Sequence, residues 1–109
     1  MKIGLIRCQQ TENLCAGTAD FAAIKNGTGA FEKLGSVEII GFVSCGGCPG
    51  KNAVRRAKLL AARGAEAIVF CSCISKGTPI DFPCPHFEAM RKAVSDKLGS
   101  GTKIIDYSH

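Results

Sequence analysis

Four short apolar runs alternate with stretches of helical spacing, and this alternation limits the folds open to the chain. The runs are Lys2–Arg7, Val37–Val43, Ala67–Cys71 and Lys103–Tyr107. Each is short and largely apolar along its middle, as in a strand covered on both faces. Ala19–Ile24 has helical character with Thr18 as its cap, and after the Asn26-Gly27-Thr28-Gly29 break a short helical piece continues through Leu34. Ala53–Arg63 aligns Val54, Ala57, Leu60 and Ala61 on one face and stops at Gly64. Pro85 fits the first turn of a third helix, where Phe87, Met90, Val94 and Leu98 recur at spacings of three and four before Gly99-Ser100-Gly101.

Strand, helix, strand, helix, strand, helix, strand predicts an α/β fold: a four-stranded parallel sheet with right-handed crossovers and helices on both faces. The expected architecture is one three-layer αβα domain, Rossmann/flavodoxin-like, spanning residues 1–109. With 109 residues, 46% of them hydrophobic, the chain can build a core without covalent staples. The strand C-termini of such a sheet share one edge, where open α/β folds bind ligands. Cys8, Cys45, Cys48, Cys73 and Cys84 each follow a strand and precede the next helix, and His109 follows the last strand. The topology therefore gathers five of the seven cysteines and a histidine on one rim.

Seven cysteines, an odd number, in a chain with an adequate core favour metal ligation or reactive thiols over a disulfide scaffold. Zinc takes four ligands, commonly thiolates and imidazoles, and iron–sulfur clusters accept similar thiolate sets. Cys45 and Cys48 form the close pair, Gly46 and Gly47 can turn N–H groups toward bound sulfur, and Cys73 and Cys84 join from neighbouring loops. These four are the first-choice ligands, with Cys8 and His109 in reserve. The same atoms allow thiol–disulfide exchange by Cys45 and Cys48 with Cys8 or Cys84 as resolving thiol. Pro49-Gly50 delays the helix, however, so the pair precedes the helix instead of capping it. A labile metal carrier or sensor is a third reading. In it, Gln9-Gln10-Thr11 contacts a small ligand beside the metal. The sequence does not decide whether the chain is an enzyme or what its oligomeric state is.

Bland alternatives stand beside these assignments. Cys71 ends an apolar run and reads as a buried small hydrophobe. Cys15 has no clear assignment, His86 can face solvent or cap the third helix, and His109 is terminal. The loop Gln9–Asn13 contains no arginine to hold an oxyanion after Cys8, which excludes a phosphatase or arsenate-reductase loop. Neither a P-loop nor a dinucleotide fingerprint occurs.

The net charge of +5 invites nucleic-acid binding, but Lys51, Arg55, Arg56, Lys58 and Arg63 lie on one predicted helix as its solvated face. Aromatic residues, 6% of the chain, fall mostly in apolar runs and do not interleave with these cations, so a nucleic-acid partner is not expected. No run reaches the roughly 20 apolar residues of a membrane helix, and strand-like sequence from Lys2 leaves no room for a signal peptide. The expected location is the cytoplasm.

Cys45-Gly46-Gly47-Cys48, together with Phe82-Pro83-Cys84-Pro85-His86-Phe87 and the opening Ile6-Arg7-Cys8, resembles the CGGC-domain family of small bacterial and archaeal proteins. The resemblance covers essentially the whole chain. It implies metal binding, zinc being the usual proposal, and no established reaction. It carries over to Cys8, Cys45, Cys48, Cys73, Cys84, His86 and His109. Cys71 lies outside the family pattern.

Overall fold

The computed structural model describes residues 1–109 and contains one parallel sheet with helices packed on it. The strands are β1 (Lys2–Arg7), β2 (Glu38–Ser44), β3 (Ala67–Phe70) and β4 (Lys103–Ile105), in the spatial order β2-β1-β3-β4. The helices are α1 (Thr18–Asn26), α2 (Asn52–Ala62), α3 (Ser72–Ser75) and α4 (Phe87–Leu98), with 3-10 turns at Gly29–Phe31 and Gly99–Gly101. All three strand pairings are parallel, as the alternation requires.

Side-chain volume explains how α2 meets the sheet. A bulge between Ile3 and Gly4 sets Gly4 opposite Gly41 in the β1–β2 ladder. Leu60 of α2 fills the space that these two glycines leave, since a Cβ at Gly4 would approach its Cδ1 to 2.8 Å. The next pair in the ladder, Leu5 and Phe42, points to the opposite face, where the Phe42 ring lies 5.3 Å from Phe21 of α1. Thus α1 covers one face, and α2 covers the other beside its neighbour α4. Ile3, Leu5, Ile6 and Ala67–Phe70 are fully buried and form the centre of the core. No helix is long and apolar enough to cross a membrane.

Three local features differ from the sequence reading. Thr18 begins α1 but does not cap it: Gly17 precedes the helix in a left-handed conformation, φ 84°, and no side chain accepts from the helix end. Ser72-Cys73, expected in a long loop, instead forms α3, a single buried turn too short to show helical spacing. The last strand ends at Ile105, because the following residues leave the sheet. Ser108 O accepts from Ala30 N–H at 3.1 Å, and Ser108 N–H donates to Ser72 Oγ at 3.1 Å.

A candidate thiol-rich site at the switch point

β1 lies between β2 and β3, so the chain leaves the first strand one way and then returns across it. Loops after β1 and β3 consequently part at the C-terminal edge and open a crevice, the usual ligand position of such sheets. A cavity of about 150 Å³ occupies this place. Cys8, Gln10 and Thr11 reach it from the loop after β1, Cys48 from the loop after β2, and Cys73 from α3. Phe82, Cys84 and Pro85 close it from the segment before α4.

Backbone hydrogen bonds fix the cavity wall. Cys8 N–H donates to Cys73 Sγ at 3.2 Å, joining the β1 and β3 loops through sulfur. His86 N–H donates to Cys84 Sγ at 3.4 Å, and Cys84 N–H donates to Ile74 O at 2.9 Å. On the β2 side, Gly46 takes a left-handed turn, φ 84°, with its N–H donating to Ser44 Oγ at 3.2 Å. Arg56 of α2 holds the same hydroxyl at 2.8 Å and the Ser44 carbonyl at 3.1 Å.

Burial disfavours the thiolate form at two of these sulfurs. Burial pushes the Cys73 thiol up, while the Cys8 N–H partly counteracts it. Burial also raises Cys84, where the neighbouring Cys48, Cys8 and Cys45 would repel a second negative charge. No carboxylate or imidazole lines the cavity. Besides the neutral oxygens of Gln10 and Thr11, the donors are soft sulfurs, suited to thiophilic cations and poorly suited to magnesium or calcium, which favour carboxylates. No three Cys, His, Asp or Glu side chains already stand close enough together to hold one ion. Thiolate–zinc bonds of about 2.3 Å would require the sulfurs to draw in.

The expected site residues divide into groups. Cys8, Cys48, Cys73 and Cys84 line the cavity. Cys45 is 6% exposed and sits in the core beside it, its N–H donating to Arg7 O at 2.7 Å. His86 lines a separate groove with Pro49 and Met90. His109 Nε2 lies 3.7 Å from buried Asp20 Oδ1, and its ring lines another depression with Cys15. Cys71 is fully buried beneath the site.

A polar network under the rim is absent from the sequence reading. Asp20 and Arg7 are both buried, and Ser108 Oγ donates to Asp20 Oδ1. Ser72 Oγ accepts from the N–H groups of Ser108, at 3.1 Å, and His109, at 2.9 Å. An Arg7 N–H donates to Cys15 O at 2.5 Å, and the guanidinium lies 5.9 Å from the Phe42 ring centroid. The available signals were a charged residue closing an apolar strand at Arg7 and an acid among the small apolar residues of α1 at Asp20.

The chain is similar to two uncharacterised proteins of Methanocaldococcus jannaschii. One is 38% identical over 106 residues, covering 90% of this chain and 80% of the relative. The other is 32% identical over 68 residues, covering 62% of this chain and 94% of the relative. No solved structure matches. The model of the CGGC domain matches residues 2–109, in agreement with the motif around Cys45 and Cys48, and the chain belongs to the CGGC domain family.

Proposed function

We propose that Cys8, Cys48, Cys73 and Cys84 bind a thiophilic metal ion, zinc before the other candidates, in a reducing compartment such as the cytoplasm. The observation behind this reading is that four thiols from separate segments line one cavity of about 150 Å³ with no carboxylate or imidazole among its lining residues. The family's cysteine-rich pattern is consistent with metal binding. A bound cation supplies the positive charge that lets thiols disfavoured by burial from ionising, those of Cys73 and Cys84, lose their protons, and binding releases them. Buried Cys45 supports the wall, and the Cys8 N–H fixes the direction of the Cys73 sulfur. An iron–sulfur cluster uses the same kind of ligands and is distinguished by its visible absorption.

The test is an anaerobic cadmium titration of reduced, metal-free protein, followed by the thiolate-to-metal absorption band. Mutating residues behind the ligands commonly weakens metal sites by about 10–100-fold, so serine at Cys8, Cys73 or Cys84 should cost at least about tenfold. Cys15→Ser should leave the affinity unchanged. Equal cadmium affinity in the three cavity variants and the parent protein would overturn the reading.

The exposure of Cys48 beside Cys84 favours a second reading, disulfide exchange. The Cys48 thiolate attacks a substrate disulfide, forming a mixed disulfide and releasing one substrate thiolate. Cys84 then attacks Cys48 and releases the second. The two electrons end on the substrate, now a dithiol, and the chain holds the Cys48–Cys84 bond. With oxidised glutathione, Cys84→Ser should accumulate a glutathione adduct on Cys48, whereas the parent protein should resolve it. Equal accumulation in both would remove this reading.

A further inference from the structure

Two grooves along the packed pair α2 and α4 share residues and differ in character. The first, about 300 Å³, is floored by Pro49, Val54, Ala89, Met90 and Ala93, with His86 at its edge. The second, about 340 Å³, is lined by Lys51, Val54, Arg55, Lys58 and Lys97. Lys51 and Val54 belong to both, so the two form one continuous seam. Neither contains an acidic residue, and none of the four cations makes an ion pair or side-chain hydrogen bond. In contrast, Arg56, one position away from Arg55, is held by Ser44. The acids Glu88 and Asp96 of α4 lie instead in a different depression with Arg91 and Lys92.

The seam is therefore largely apolar at one end and cationic at the other, around Val54. Lys97 lies eight positions after Ala89, and at about 1.5 Å rise per residue the two are roughly 12 Å apart along the helix. The apolar end begins at Pro49, immediately after exposed Cys48. We infer that this seam binds an organic phosphate with an apolar arm, the phosphate held by Arg55, Lys58 and Lys97 and the arm lying over Val54, Met90 and Ala93. Unpaired like charges in one groove favour a multiply charged anion, and the apolar floor selects against bare phosphate. The end of the arm reaches the rim beside Cys48, which places the ligand next to the thiol cavity without requiring that the cavity hold a metal.

Octylphosphonate is the probe, titrated calorimetrically into the reduced, metal-free full chain at low salt. The parent protein should bind it at least tenfold more tightly than methylphosphonate. Binding should fall at least tenfold in Lys58→Glu/Lys97→Glu, and equally in Ala93→Glu, which places a carboxylate on the apolar floor. All three altered positions are exposed, so circular dichroism should show unchanged folding. No binding of octylphosphonate, equal binding of methylphosphonate, or unaltered affinity in either variant would overturn the inference. Because metal is left out throughout, failure here is separate from failure of the metal reading.

Discussion

The packing of Leu60 against two glycines permits a quantitative test of how α2 is seated. Leu60 is 4% exposed, and a Cβ at Gly41 would lie under 3.0 Å from its Cδ2. Removing the side chain with Leu60→Ala leaves a cavity that Gly4 and Gly41 have no side chains to fill. The expected cost lies in the upper part of the usual range, about 4–5 kcal/mol. Gly41→Ala alone overpacks the contact and should cost about 1–3 kcal/mol, without a backbone contribution because Gly41 is not in the left-handed region. In the double variant the new methyl group enters the space vacated by Leu60. The two changes should then be less than additive by about 1–3 kcal/mol. Urea unfolding of reduced, metal-free protein, followed by circular dichroism, measures all four corners of the cycle. Additivity within about 0.5 kcal/mol would refute the claim that Leu60 fills the glycine gap.

Further outcomes follow from burial and hydrogen bonding. Burial, with the Asp20 carboxylate nearby, strongly raises the Cys71 thiol above its ordinary value of 9.0. Folded protein therefore keeps this proton above pH 9 while the unfolded chain loses it. Stability should fall by about 1.4 kcal/mol per pH unit from this group as pH rises above its unfolded value, and Cys71→Ala should remove that slope in urea melts. In metal-free protein, iodoacetamide should modify exposed Cys48 first, with buried Cys45, Cys71 and Cys73 reacting only on unfolding. Peptide mass mapping reads the order. Ser108→Ala removes the donor to buried Asp20 and should destabilise by about 1–3 kcal/mol in the same melts. Gly46→Ala imposes φ 84° on an L residue and brings its Cβ to 2.5 Å from Asn52 Cβ, so Cys48 in this variant should alkylate at a changed rate.

The sequence makes the sheet legible because β1 and β3 are covered on both faces and so are apolar almost throughout. Its crossover rule then predicts a shared rim carrying Cys8, Cys45, Cys48, Cys73, Cys84 and His109, of which Cys8, Cys48, Cys73 and Cys84 line the cavity. What it leaves hidden is which side of a loop each residue faces. Cys45 and Cys48 look equivalent in the motif. Yet Cys45 continues the β2 ladder through its bond to Arg7 O and is buried, while Cys48 lies beyond the Gly46 and Gly47 turns and is exposed. His86 adjoins Cys84 in sequence, but in the structure it lines the α2–α4 groove. Asp20, Ser72 and Ser108 come together from distant segments, and no local spacing announces such a network. The solvated face read on α2 is divided: Arg56 serves the Ser44 turn, while Arg55 and Lys58 look onto Lys97 of α4, a pairing that only the helix packing creates.

The metal reading is tested most directly on protein purified anaerobically without added metal or chelator, by elemental analysis with an absorption spectrum of the same sample. One equivalent of a thiophilic metal per chain is expected, colourless if zinc, and it should be lost with Cys73→Ser. Metal-free protein under these conditions, with Cys8, Cys48, Cys73 and Cys84 all recovered as free thiols and no cadmium taken up, would contradict it.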